Sequence, residues 1–170
     1  SIPLTPEVEE GKIRIVLSWP GGPADLDIHS LFKVTKIRKC HVYFGNKDCS
    51  GLNLDVDNTK GGKNGVETIT INSLGNYIYS FYVHKYVDGS QGNAVGENRI
   101  ASVPIGDNYE KPIDNTQTLF NSEAKIIVYG AGYRAPIAKF EVKTLEEKGD
   151  EYRYWNVFCL NGSKGVDSLK

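Results

Sequence analysis

Short segments in which apolar and polar residues alternate recur along the chain, with turn residues between them. Ile13, Ile15 and Leu17 alternate with Arg14, Val16 and Ser18, and Trp19-Pro20-Gly21-Gly22-Pro23 ends that run. Leu26 and Ile28 alternate with Asp25, Asp27 and His29, and Leu52, Leu54 and Val56 with Asn53, Asp55 and Asp57. Tyr77, Tyr79, Phe81 and Val83 share one face of a longer run. Further segments fall at 39–44, 66–71, 99–105, 124–129, 136–143 and 152–160. A period of two is the signature of half-buried strands. It predicts an all-β fold: a two-sheet antiparallel β-sandwich, jelly-roll-like, of about nine or ten short strands with little helix.

Composition strengthens that expectation. The chain has 14 Val and 14 Ile against 7 Ala and 11 Leu, with no Met and 10 Tyr. Branched and aromatic side chains fit a pleated sheet and lose rotamer freedom in a helix. The one helical signal, at 144–147, matches a capping box but is cut short by Gly149. Residues 88–118 are rich in Gly and Pro and predict a long loop holding one short strand. A length of 170 residues suits a single domain spanning 1–170.

Charge excludes one class of partner and leaves others open. Twenty Lys and Arg balance 21 Asp and Glu for a net charge of -1, so the broad basic footprint of a nucleic-acid binder is missing. No apolar run is long enough for membrane insertion. The chain opens on Ser1 rather than Met, which suggests processing or excision from a larger, multidomain protein. The motifs of serine hydrolases, zincins and P-loop enzymes are missing, and the three His and three Cys do not fall at zinc-ligand spacing. Cys40 and Cys49 flank the Gly45-Asn46 turn and would meet if their strands formed a hairpin, but spacing alone leaves the pairing open, with Cys159 left over. A disulfide would place the chain in an oxidising compartment.

The informative feature is the repeated Asp-x-Asp, Asp25-Leu26-Asp27 and Asp55-Val56-Asp57. Residues two apart on a strand face the same way, so each motif sets two carboxylates side by side. Should the two motifs converge, each pair of charges ~4 Å apart would repel by roughly 4 kcal/mol at an effective dielectric of 20, and a cation would relieve it. Calcium suits such an oxygen-rich set. Asp25, Asp27, Asp55 and Asp57 are therefore the expected metal ligands, with Asn58, Thr59 and Glu67 available to complete the shell. An EF-hand is excluded, because Lys60 stands at the sixth position and Val66 at the twelfth. The alternative is that these aspartates decorate the solvated faces of separate strands. Lys33, Lys36, Arg38 and Lys39 form a local basic run suited to an anionic glycan, a lipid head group or an acidic protein, or to guarding a sheet edge.

Several motifs together resemble YfaP-like bacterial domains. They are Leu17-x-Trp19, Asp25-Leu26-Asp27-Ile28-His29, Tyr43-Phe44-Gly45, Gly51-x-x-Leu54-Asp55-Val56-Asp57, Gly62 with Val66-Glu67-Thr68-Ile69, and Gly75-Asn76-Tyr77 leading to Val83-His84. The resemblance covers about residues 12–86, with weaker echoes at Val128-Tyr129 and Trp155–Phe158. This chain departs from the pattern in its basic insertion, its paired cysteines and its long 88–118 stretch. The resemblance implies a secreted or cell-envelope β-sandwich similar to calcium-stabilised pre-peptidase-type domains, without catalytic activity. It also puts His29 and His84 beside the acidic cluster as candidate binding residues, although each suits a hydrogen-bonded structural histidine better than a ligand.

The expectation is a non-enzymatic, calcium-binding recognition or adhesion module, extracellular or in the cell envelope, with a protein or glycan ligand. A metal-free structural interaction module is one alternative. A glycan hydrolase using two of the aspartates as acid and base is the other.

Overall fold

The computed structural model describes residues 11–20, 26–56, 65–85, 109–110, 119, 122–130, 136–142 and 154–169. Eleven strands among these residues form two antiparallel sheets. They are β1 (Ile13–Trp19), β2 (Leu26–Lys33), β3 (Lys39–Val42), β4 (Asp48–Cys49), β5 (Leu52–Val56), β6 (Gly65–Ile71), β7 (Ile78–Lys85), β8 (Tyr109–Glu110), β9 (Lys125–Gly130), β10 (Ala138–Glu141) and β11 (Tyr154–Asn161). One sheet has the order β10-β9-β1-β6-β5-β4 and the other β3-β2-β7-β11-β8. The expected all-β two-sheet sandwich is present.

Alternation decides what fills the space between the sheets. Ile13, Ile15, Leu17 and Trp19 of β1, Ile69 and Ile71 of β6, Leu26 and Ile28 of β2, and Tyr79, Phe81 and Val83 of β7 form one buried cluster. The outer face of the first sheet has its own apolar patch of Val16, Ile127 and Tyr129, with Val66 packed against it. Trp19 fixes the close approach of its neighbour: β1 and β6 pair Trp19 with Gly65, and a Cβ on Gly65 would lie 2.3 Å from the indole.

A tight turn and a disulfide shape the edge of the sandwich. β4 and β5 are joined by Ser50 (φ 44°) and Gly51 (φ 89°), the two left-handed residues of a type I′ hairpin turn. β3 and β4 belong to different sheets, and the Cys40–Cys49 disulfide, with Cα atoms 5.8 Å apart, bridges them. The pairing that spacing left open therefore forms, as a clamp between the two sheet edges rather than across one hairpin.

The observed boundaries follow the alternation closely, and the differences are short elements. The two-residue strands β4 and β8 break no visible pattern in the sequence, and Tyr109 and Glu110, inside the expected long loop, pair with β11. The expected strand at 99–105 and the helical turn at 144–147 lie outside the described residues. Cys159 is a free thiol and is half-buried, with Ser80 Oγ at 3.5 Å. Cys159 pairs with Ser80 on the outer side of the sheet.

Candidate metal centre

In β2, Leu26 and Ile28 enter the core, so Asp27 and His29 must point to the opposite face. In β7, Phe81 and Val83 point inward, which turns Tyr82 and His84 outward. The ladder sets Asp27 opposite His84 and His29 opposite Tyr82. Neighbours along a strand and directly across it are the closest side chains on a sheet face. The result is that Asp27, His29 and His84 each offer a ligand atom, and these atoms all lie within 4.8 Å of one another.

All three are buried, at 2%, 0% and 1% exposure. A carboxylate taken out of water costs several kcal/mol unless charge or hydrogen bonds compensate it. One carboxylate and two imidazoles are a mixed nitrogen and oxygen set. Zinc and related divalent transition metals accept such donors, whereas calcium takes hard oxygen.

A second layer holds His29 in place. β3 runs beside β2 with Leu31 opposite His41, which puts His41 on the same face, one diagonal step from His29. His29 Nδ1 lies 2.7 Å from His41 Nε2, and Tyr82 Oη lies 3.1 Å from His29 Nδ1 and 3.4 Å from His41 Nε2. At 2.7 Å a single proton sits between the two rings, so one ring donates and the other accepts. The contact of its Nδ1 with His41 orients the His29 ring. This is the outer-shell arrangement that fixes the tautomer of ligating histidines. Tyr43 stacks on both rings, with centroids 3.9 Å from His41 and 5.3 Å from His29, and Tyr82 stacks on His29 at 4.6 Å. Burial pulls the pKa of His41 down from 6.5 to about 4, so its ring is neutral at physiological pH.

The remaining expected residues are distributed differently. Asp55 lies on β5 in the other sheet, exposed, where its carboxylate accepts a hydrogen bond from the Thr70 hydroxyl. Leu54 and Ile69 are paired and face the core, so Asp55 and Thr70 occupy the outer face of the first sheet. Asp27 occupies the outer face of the second. The expected convergence of the two Asp-x-Asp motifs is therefore corrected for Asp27 and Asp55, which lie on opposite outer faces. Asp25, Asp57, Asn58 and Thr59 lie outside the described residues. Glu67 serves elsewhere: it is fully buried and its Oε1 accepts the backbone N–H of Ile28 at 2.9 Å.

Sequence spacing alone does not join these residues, although the resemblance put His29 and His84 beside the acidic cluster. His29 and His84 are 55 residues apart, and only the β2–β7 register joins them. The signal for His41 was present in the alternation of 40–43, where Cys40 and Val42 face the core and His41 and Tyr43 share the opposite face. No protein-family model, curated protein or solved structure matches the chain.

Proposed function

We propose that this protein is a non-enzymatic recognition module of an extracellular or envelope protein, its second sheet fastened by one divalent transition metal ion of the zinc type. The observation that carries the reading is the convergence of Asp27, His29 and His84 within 4.8 Å. Full burial of all three supports a structural ion over a catalytic one, since catalytic sites keep a coordination position open to substrate. The Cys40–Cys49 disulfide supports an oxidising compartment. The ion would bridge β2 and β7, which are neighbours in the second sheet but far apart in sequence, and so would staple that ladder. Calcium, which the two Asp-x-Asp motifs suggest, is the competing cation.

Calorimetric titration of chelator-stripped protein with Zn²⁺, Co²⁺ and Ca²⁺ tests this directly. The expected result is a 1:1 Zn²⁺ isotherm, Co²⁺ absorption bands characteristic of nitrogen and oxygen donors, a raised Tm, and loss of all three in His84→Ala. Heat with Ca²⁺ alone would replace zinc with calcium. Heat with none of the three would leave a metal-free interaction module in which Asp27 and the imidazoles neutralise one another.

A further inference from the structure

The turn between β2 and β3 combines features that soluble domains avoid. Ile37 is 95% exposed, and residues 33, 36, 38 and 39 around it are Lys, Lys, Arg and Lys, all exposed. The turn is not loose. Val34 and Thr35 donate their N–H groups to the Arg38 carbonyl at 2.9 and 3.2 Å. Thr35 Oγ1 accepts from the N–H groups of Arg38 and Ile37 at 2.9 and 3.3 Å. A branched apolar side chain is thus held outward on a fixed backbone, with four cations about it. Among the described residues none of these four cations forms an ion pair; the Lys139–Glu141 pair is on β10 in the other sheet.

A second observation lies at the same end of the same sheet. Among the described residues Ile78, at 61% exposure, is the other exposed large hydrophobic. The β2–β7 register sets Leu31 opposite Ser80, and its continuation brings Lys33 level with Ile78. Ile78 is paired on its other side with Asn161, and the exposed Lys164 follows in the turn closed by its N–H to the Asn161 carbonyl at 3.1 Å. Two exposed isoleucines and five cations therefore crowd one end of the second sheet.

We propose that this end is a docking surface for an anionic lipid bilayer, with Ile37 entering the head-group boundary and Lys33, Lys36, Arg38, Lys39 and Lys164 meeting lipid phosphates and carboxylates. The isoleucines decide between partners: a sulfated glycan needs the cations but gives an aliphatic wedge nothing to enter, whereas a bilayer rewards both. No helix among the described residues is long and apolar enough to cross a membrane. The docking does not depend on the metal site, which lies toward the opposite end of β2 and β7.

Co-sedimentation of the full chain with vesicles tests this, using phosphatidylcholine alone and phosphatidylcholine with about a third phosphatidylserine. The expected result is binding to the anionic vesicles only, weakened at high salt. Each lost cation should weaken it about fivefold, and Ile37→Ser about tenfold or more. Because these side chains are exposed, Lys36→Ser/Arg38→Ser and Ile37→Ser should keep the parent Tm, which separates lost docking from lost folding. Equal binding to both vesicle types, no binding to either, or binding indifferent to Ile37→Ser would overturn the proposal. Retention on a sulfated polysaccharide without vesicle binding would overturn it in favour of a glycan.

Discussion

Glu67 of β6 reaches across the sandwich to accept the backbone N–H of Ile28 in β2, at 2.9 Å. β3 accompanies β2 only from Ser30 to Lys33, so among the described residues the upstream part of that strand edge has no ladder partner on this side. A carboxylate from the opposite sheet supplies the acceptor. Ile69 and Ile71 set the inward face of β6, which sends Glu67 into the core and Val66 outward.

Removing that acceptor should be costly. Glu67→Ala leaves a buried N–H unsatisfied and opens a void, so we expect a loss of about 2–4 kcal/mol. Glu67→Gln keeps an acceptor of the same length and should lose roughly 1 kcal/mol. Urea denaturation of the two variants measures both. A Glu67→Ala variant within about 0.5 kcal/mol of the parent would show that this contact contributes little.

Alternation made the inward faces of β1, β2, β5 and β7 legible, and with them the fact that Asp27, His29 and Asp55 point away from the core. It did not say which sheet each strand joins. Asp27 and Asp55 have the same local pattern yet end on opposite outer faces, because β5 joins β6 and β2 joins β7. Partner choice is set by long-range packing, which leaves no periodic trace. The same reason hid the pairing of Asp27 with His84, and it hid β4 and β8, two-residue ladders that exist only because a neighbouring strand is in place.

Gly65→Ala tests the close approach at Trp19. The new Cβ would stand 2.3 Å from Cε2 of an indole that is 1% exposed and enclosed by core residues. A rigid ring in a packed core cannot yield cheaply, so we expect a loss of about 2–3 kcal/mol and a fall in Tm of roughly 5–10 °C. Thermal melts followed by tryptophan fluorescence would report it. An unchanged Tm would mean that the backbone of β6 shifts freely there.

The disulfide should contribute measurably to stability although it closes a short loop. Cys40 and Cys49 are separated by 9 residues, for which the loop-entropy relation gives about 2.5 kcal/mol. The Cys40→Ser/Cys49→Ser variant should lose about that much in urea denaturation. Thiol titration of the unfolded parent should find one reactive group before reduction, Cys159, and all three cysteines after it. Three reactive thiols without reductant would contradict the clamp.

The stability of the metal-free protein should fall as pH drops through the range where His41 titrates in the unfolded chain. Burial lowers its folded pKa from 6.5 to about 4, so between those values the unfolded state binds the proton and the folded state does not. Stability conferred by this group is fully present above pH 6.5 and is lost progressively as pH falls toward about 4. A shift of that size corresponds to about 3 kcal/mol. In His41→Gln, which cannot take up the proton, that component of the pH dependence should vanish while the other acid-sensitive groups remain. Denaturation curves collected between pH 7 and pH 4 for parent and variant isolate the difference. Parallel curves for the two proteins would show that His41 is not the group whose protonation the fold resists.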